Sequence, residues 1–239
     1  MSVYTKNAVP AQSSGSDSFD HVIVVDRFSL SGTALCSLAR TVFPQAECRH
    51  VTTLSQLLSF ITGACVEKHF LVIMEMATDS DRFSSCLSIL SDILLSTEKR
   101  ERWKIMVCTD LKEPHLLQAI STLKPASLAY RGESLSALVT CMLKAGDNNN
   151  YLSPWMQKKL EQSGRKGLSP CELQWLITQL DGMTLAESAK TMKVEYQTVT
   201  TIKQSTIVRL GLNSHTGFVR WLKKTEMVTG PHHSTSVTA

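Results

Sequence analysis

The sequence predicts an α/β doubly wound domain of five parallel strands followed by a small all-α domain. Short apolar runs alternate with helix-period segments from residue 20 to residue 144, and several short, well-punctuated helical segments then crowd residues 154 to 224. The charge balance changes between the two. Asp20 to Lys144 carries 13 basic and 13 acidic residues, net zero, whereas Tyr151 to Thr225 carries 11 basic and 5 acidic, net +6. With 239 residues and 43% hydrophobic content, the chain is long enough for two cores.

Residues 1–18 are Ser-rich and aperiodic and are expected to be disordered, and an α/β domain is expected over 19–145. His21 to Val25 is a continuous apolar run suited to a buried parallel strand, and Leu30 to Phe43 follows with helical spacing at Leu35, Leu38 and Val42. Ala46 to Val51 predicts a second strand, Leu54 to Ile61 a second helix stopped by Gly63, and His69 to Met76 a third strand. A helix over Asp81 to Ser96 uses Leu87, Leu90 and Leu94, and Trp103 to Cys108 is the fourth strand. Glu113-Pro114 opens a helix carrying Leu116, Leu117 and Ile120. That stripe reads as helix core, with an exposed interaction patch as the alternative. Ser127 to Tyr130 is the fifth strand and Ser134 to Lys144 the last helix, so any site lies at the carboxyl ends of the strands.

A polar break at Asp147 to Asn150 places a linker over 146–153, between domains expected to fold separately and move independently. The second domain is expected over 154–226 and a disordered tail over 227–239. Leu168-Ser169-Pro170 offers a hydroxyl N-cap with proline at the first helical position, and Leu173, Leu176, Ile177 and Leu180 form one face before Asp181-Gly182. Thr184 with Glu187 makes a capping box for a second short helix. After the turn at Lys193 to Tyr196, Gln197 to Leu210 carries Val199, Ile202, Ile207 and Leu210 as its inner stripe and leaves an acid-free polar face. Gly211 ends it, and Thr216 to Lys224 supplies a closing helix.

No apolar run reaches the ~18 residues of a membrane span and no basic-then-apolar leader opens the chain, so a cytoplasmic protein is expected. Cys36, Cys48, Cys65, Cys86, Cys108, Cys141 and Cys171 are scattered without zinc or redox spacing and read as reduced core residues. His232-His233 lies in the polar tail. No metal or cofactor is expected. The chain has no glycine-rich phosphate loop, Gly-x-Ser-x-Gly elbow or spaced Ser, His and acid set, so no enzyme activity is expected.

Two short helices joined by a tight turn, the second with an acid-free face, are the arrangement that lays a helix in the DNA major groove. Leu168-Ser169-Pro170-x-Glu172, Gly182-Met183-Thr184, Thr198-Val199 and Arg209-Leu210-Gly211-Leu212, in that order, resemble the LuxR/FixJ (NarL-type) DNA-binding domain. The resemblance implies double-stranded DNA as partner, base reading by Thr200, Thr201 and Gln204, and phosphate contacts from Thr198, Lys203 and Arg209. The usual lysine after Thr198-Val199 is Thr200 here and the usual histidine is Ile202, which implies weak binding by the chain alone. The Thr-Val-small-small pattern resembles the branch that includes regulators of the Rcs capsule phosphorelay. Auxiliary members of that branch act with a second response regulator. The partner implied is therefore another copy or another LuxR/FixJ-type response regulator, and the alternative is an interaction protein that titrates a regulator without touching DNA.

The first domain resembles a response-regulator receiver, whose phosphotransfer needs an aspartate after the third strand, an acidic pair after the first, a hydroxyl after the fourth and a lysine after the fifth. This chain has Glu75 at the nucleophile position, Asp26 followed by Arg27 at the acidic pair, Thr109 at the hydroxyl and Arg131 near the lysine. Glu75 is a methylene too long for in-line attack, and Arg27 repels magnesium and is expected to pair with Glu75 or Asp26. The resemblance thus implies a degenerate receiver that is not phosphorylated.

Overall fold

The computed structural model describes residues 19–63, 68–78, 81–147, 150–164 and 167–229, with side chains described to residue 225. The expectations for residues 1–18, Cys65, His232-His233 and residues 230–239 lie outside the described residues; residues 227–229, expected to belong to a disordered tail, are helical.

The first domain opens with β1 (His21–Val25), α1 (Ser29–Val42), β2 (Glu47–Val51), α2 (Leu54–Gly63) and β3 (Phe70–Met74). It continues through α3 (Phe83–Leu95), α4 (Thr97–Arg102), β4 (Trp103–Thr109), α5 (Pro114–Thr122), β5 (Ser127–Tyr130) and α6 (Leu135–Gly146). A short β6 (Tyr151–Leu152) completes a six-stranded sheet of order β2-β1-β3-β4-β5-β6, parallel throughout. Every residue of β3 and β4 is buried, as a parallel sheet covered by helices on both faces requires. Phe70 and Trp103, paired across β3 and β4, stack at 4.0 Å.

One face of the sheet packs on Leu35, Cys36 and Ala39 of α1 and Leu138, Cys141 and Met142 of α6. The opposite face packs on α2, α3 and α5 through Leu57, Leu87, Leu90, Leu116 and Ile120. Leu116, Leu117 and Ile120 are fully buried, so the α5 stripe is core and does not form an exposed patch.

Two elements differ from the sequence expectation. The sheet has six strands because Tyr151 N–H donates to Ala126 O at 3.0 Å and Ser153 N–H to Leu128 O at 2.9 Å, drawing the expected linker onto the edge of β5. Two residues have no readable period; only the free edge of β5 makes them a strand. The segment Thr97–Arg102 forms α4, capped by Ser96, which accepts from Lys99 N–H. Its Glu-Lys-Arg-Glu-Arg composition shows no apolar face, and none of its residues is buried.

The second domain comprises α7 (Pro154–Ser163), α8 (Pro170–Leu180), α9 (Leu185–Met192), α10 (Tyr196–Arg209) and α11 (His215–Thr229). Both α8 and α9 begin with complete capping boxes, Ser169 with Glu172 and Thr184 with Glu187. Lys193 takes a left-handed conformation, φ 55°, to make the turn between α9 and α10, and Gly211 does so after α10 at φ 70°. Trp175, wholly buried, stacks on Phe218 at 5.2 Å and anchors α8 to α11.

The two domains share packing. One apolar cluster runs from Leu87, Leu90 and Leu94 to Leu168, Leu173 and Leu176, and Leu168 N–H donates to Thr122 Oγ1 at 3.1 Å. The expectation of independently moving domains does not describe this arrangement, because apolar faces of α3 and α8 are buried against each other.

Trp175→Ala is expected to destabilise the chain by about 3–5 kcal/mol, through lost burial and the cavity left beside Phe218. Urea denaturation followed by circular dichroism measures it; a loss under about 1 kcal/mol would contradict this packing account.

Candidate nucleic-acid interface and receiver pocket

The carboxyl ends of β1, β3, β4 and β5 bring Asp26, Glu75, Thr109 and Arg131 together. Parallel register does this: Glu75 N–H donates to Val25 O at 2.9 Å and Arg131 N–H to Thr109 O at 2.9 Å. Glu75 is 3% exposed. Its Oε1 accepts from Thr109 Oγ1 at 2.5 Å and from its neighbour's backbone, Met76 N–H, at 2.6 Å. The extra methylene thus folds the carboxyl back over the strand end. Arg131 Nη2 lies 2.7 Å from Glu75 Oε2 and 3.0 Å from Asp26 Oδ2, at charge-pairing distance but without hydrogen-bond alignment to either. The remaining Asp26 oxygen accepts from Phe28 N–H at 2.9 Å.

Arg27 does not take the role the sequence suggests. Its guanidinium lies 4.6 Å from the centre of the Phe28 ring, and it pairs with neither acid among the described residues. Arg27 lies in the bend after β1, with its guanidinium over the Phe28 ring, while Arg131, reaching over from the end of β5, stands between the two carboxylates.

A receiver-like fold implies a magnesium ion here, and the donors do not fit one. A divalent cation takes hard oxygen ligands with open lone pairs. Here a guanidinium faces both carboxylates, and Glu75 Oε1 already accepts two hydrogen bonds. Burial pushes the Glu75 carboxyl up to about 7, against the opposing pull of Arg131, Thr109 and Met76 N–H. The Arg131 guanidinium, though buried, is held above its ordinary range by Glu75 and Asp26.

In the second domain, α10 presents Thr198, Thr201 and Gln204 as exposed side chains, with Thr200 and Lys203 half-buried beside them. No acid occurs from Tyr196 to Arg209. The Thr200 and Thr201 hydroxyls donate to Tyr196 O and Gln197 O, at 3.1 and 3.2 Å, so their donor capacity is used within the helix. Arg209 sits at the far end. Its Nε pairs with Glu172 Oε1 at 2.9 Å and its Nη1 donates to Gly167 O at 3.0 Å.

Glu172 is the residue that sequence reasoning left without a role beyond the motif. It is 3% exposed and closes the α8 capping box; Ser205 of α10 also donates to it. Its carboxyl is held below the ordinary range: burial opposes this, and donors from Ser169 and Ser205 with the Arg209 charge prevail. Ser-x-x-Glu ahead of an apolar run was a readable signal for the cap. The contacts from Ser205 and Arg209 were not, because they arise where α10 crosses α8. Thr178, Gln179 and Ser188 form a second polar tie, between α8 and α9, with Thr178 and Ser188 hydroxyls 2.8 Å apart.

No family model matches the sequence, and no curated protein matches it. Solved structures do match in fold. A structure of two RcsB dimers bound to two parallel DNAs is 16% identical with TM-score 0.55, covering 86% of this chain and 98% of that one. RcsB from Salmonella enterica serovar Typhimurium bound to promoter rprA gives 16% identity and TM-score 0.57 over the same shares. A two-component response regulator RcsB–DNA complex gives 16% and 0.54. The chain shares the fold of these RcsB structures, with a parallel-sheet domain and a helix-turn-helix domain in one polypeptide. Among the described residues no helix is long and apolar enough to cross a membrane.

The Glu75 proton has a definite sign in stability. Between about pH 4.5 and about 7 the folded chain keeps a proton on Glu75 that the unfolded chain has lost, so its contribution to stability falls as pH rises through that window. The shift from 4.5 to about 7 corresponds to a loss on the order of 3 kcal/mol. Glu75→Gln is expected to remove most of that slope in denaturation curves at about pH 5 and pH 8. An unchanged slope in the variant would assign the pH dependence to other groups.

Proposed function

We propose that this chain is a cytoplasmic DNA-binding transcription regulator whose receiver-like domain is not phosphorylated through aspartyl chemistry and serves dimerisation or signal input. The observation that carries the DNA reading is α10, acid-free from Tyr196 to Arg209 and held by Glu172, Ser205 and Arg209 in a helix-turn-helix frame. The likeness to RcsB structures titled as DNA complexes supports it. In this reading Gln204 makes a bidentate contact to adenine, and Thr200 and Thr201, their hydroxyls already donating within the helix, offer methyl groups to thymine. Thr198 and Lys203 contact phosphates. Arg209, carried over as a phosphate ligand, serves first to tie α10 to Glu172.

The pocket supports an input independent of phosphoryl transfer. Glu75 and Asp26 face Arg131, so the cation that would neutralise an incoming phosphoryl group is already committed to two carboxylates. The chain acts as a homodimer or with another LuxR/FixJ-type response regulator, since two-fold pairing places two reading helices on successive half-sites.

Binding of the full-length protein to random genomic DNA fragments, at two salt concentrations, with and without an added response regulator, tests this. Selective recovery is expected, with affinity lost in Lys203→Ala with Gln204→Ala; the glutamine contact accounts for about 1–3 kcal/mol and the lysine for about one unit of salt slope. Recovery only with the regulator assigns the heterodimer. No recovery in either case, with regulator binding intact, would establish the titrating interaction protein instead.

A second test addresses the pocket. Glu75→Asp is expected to remain unlabelled by acetyl phosphate, because Arg131 still occupies the space between the acids. Robust labelling of that single variant would overturn this account of the site.

A further inference from the structure

The strand-end pocket and the second domain meet at one short turn. It runs from Tyr130, the last residue of β5, to Glu133, and carries both the cation of the pocket and the seat of α7. On the pocket side, Arg131 Nη2 stands 2.7 Å from Glu75 Oε2 and 3.0 Å from Asp26 Oδ2, aligned for a hydrogen bond with neither. One guanidinium therefore divides itself between two buried carboxyls.

On the other side, the Tyr130 ring stacks on Trp155 at 4.3 Å, and Glu133 Oε1 accepts from Trp155 N–H at 2.9 Å. Trp155 is the second residue of α7, the first helix of the second domain. Glu133 Oε2 accepts from Tyr130 N–H at 3.2 Å, so one acid holds the backbone of both aromatic residues. Gly132 lies between the two halves of the turn, and its backbone rests against the Tyr130 ring: a Cβ there would come within 2.6 Å of Cε1. A displacement of Arg131 thus has packed atoms in its path, first Tyr130 and then Trp155.

What can displace Arg131 is the charge it faces. Glu75 meets Asp26 and Arg131 across the strand ends, Thr109 and Asp110 at the end of β4, and the thiols of Cys86 on α3 and Cys108 on β4. Burial pushes both thiols up, so they are neutral around pH 7. His50 of β2 lies one step further out, with Nε2 2.8 Å from Asp26 O. Glu75 itself exchanges its proton near neutrality, its carboxyl pushed up to about 7 by burial. Below that pH the protonated Glu75 leaves Arg131 to the Asp26 carboxylate. Above it the ionised Glu75 draws the guanidinium back toward the end of β3.

We propose that the turn from Tyr130 to Glu133 is a relay by which gain or loss of the Glu75 proton resets the seat of α7, making the strand-end pocket a proton-responsive input to the second domain. The relay rests on reading the pocket as a signal input and is independent of DNA binding. Arg131 is its moving part, Tyr130 its transmitting surface, and Trp155 the residue at which it is read.

The full-length protein, labelled with nitrogen-15 in its tryptophan indoles, is titrated from about pH 5.5 to about pH 8.5 without DNA or a phosphoryl donor. The Trp155 signal, assigned by its loss in Trp155→Phe, is expected to move along one sigmoid with its midpoint at about 7. Glu75→Gln and, independently, Glu75→Met are expected to flatten that curve. Glu133→Gln keeps an oxygen for Trp155 N–H and is expected to titrate as the unaltered chain does, which sets aside the carboxyl of Glu133 itself. Tyr130→Leu is expected to cut the amplitude at least about twofold. A Trp155 signal that stays still in the unaltered chain overturns the proposal, whatever the variants do. So does a sigmoid that persists in Glu75→Gln or Glu75→Met, one lost in Glu133→Gln, or full amplitude in Tyr130→Leu. The DNA reading is decided by fragment recovery, so failure of the relay leaves it standing.

Discussion

Burial of β3 and β4 on both faces leaves the chain no polar outlet except at the strand ends, and much of the rest of the structure follows from that. Helices must cover both faces, which sets α1 and α6 on one side and α2, α3 and α5 on the other. Parallel register then delivers the first residues past each strand to one edge. Asp26, Glu75, Thr109 and Arg131 meet there because the backbone puts them there, whatever their chemistry. Their charges settle on one another. A guanidinium stands between two buried carboxylates, with a threonine hydroxyl and a backbone N–H on Glu75. Such a network ties its strand ends together and sets a fixed cation between the two carboxylates.

The helical domain is built on a second buried carboxylate put to a different use. Glu172 closes its own helix cap and at the same time gathers Ser205 and Arg209 from α10. Because Glu172 is satisfied by several donors as well as by a cation, its carboxyl is held low, whereas Glu75, buried more deeply by its surroundings, is pushed high. The same residue type therefore supplies a permanent charge in one domain and a group titrating near neutrality in the other. The first fixes the angle of α10 against α8, and with it the direction in which Gln204 and Thr201 face outward.

Contact between the domains adds a further constraint. Leu168 enters the cluster formed by α3 and α5, and its N–H is taken by Thr122. The helix-turn-helix unit thus sits against the sheet domain through the start of α8, and the α5–α11 cleft is a consequence of that placement. His115 of α5 meets Trp221 of α11 across this cleft, with ring centres 5.5 Å apart.

Much of this was legible in the residue order. Apolar runs marked β1, β3 and β4, Ser169-Pro170 and Thr184 marked the starts of α8 and α9, and Gly211 marked the end of α10, because each signal acts within a turn or two of backbone. Glu75 at a strand end, where a receiver-like fold needs aspartate, was readable for the same reason. Three features were not. Arg131 rather than Arg27 became the cation of the pocket, because adjacency to Asp26 in sequence does not set where a side chain in the bend after β1 points. Tyr151-Leu152 became a strand only because β5 offered an unpaired edge. Arg209 turned to Glu172 because α10 crosses α8 there. The sequence by itself determined the helices and strands that carry a readable apolar period or cap and which residue types reach each strand end, since capping, periodicity and backbone preference are local. Tertiary structure alone decided which charges pair and how the two domains meet, since those depend on burial and distance between segments far apart in the chain.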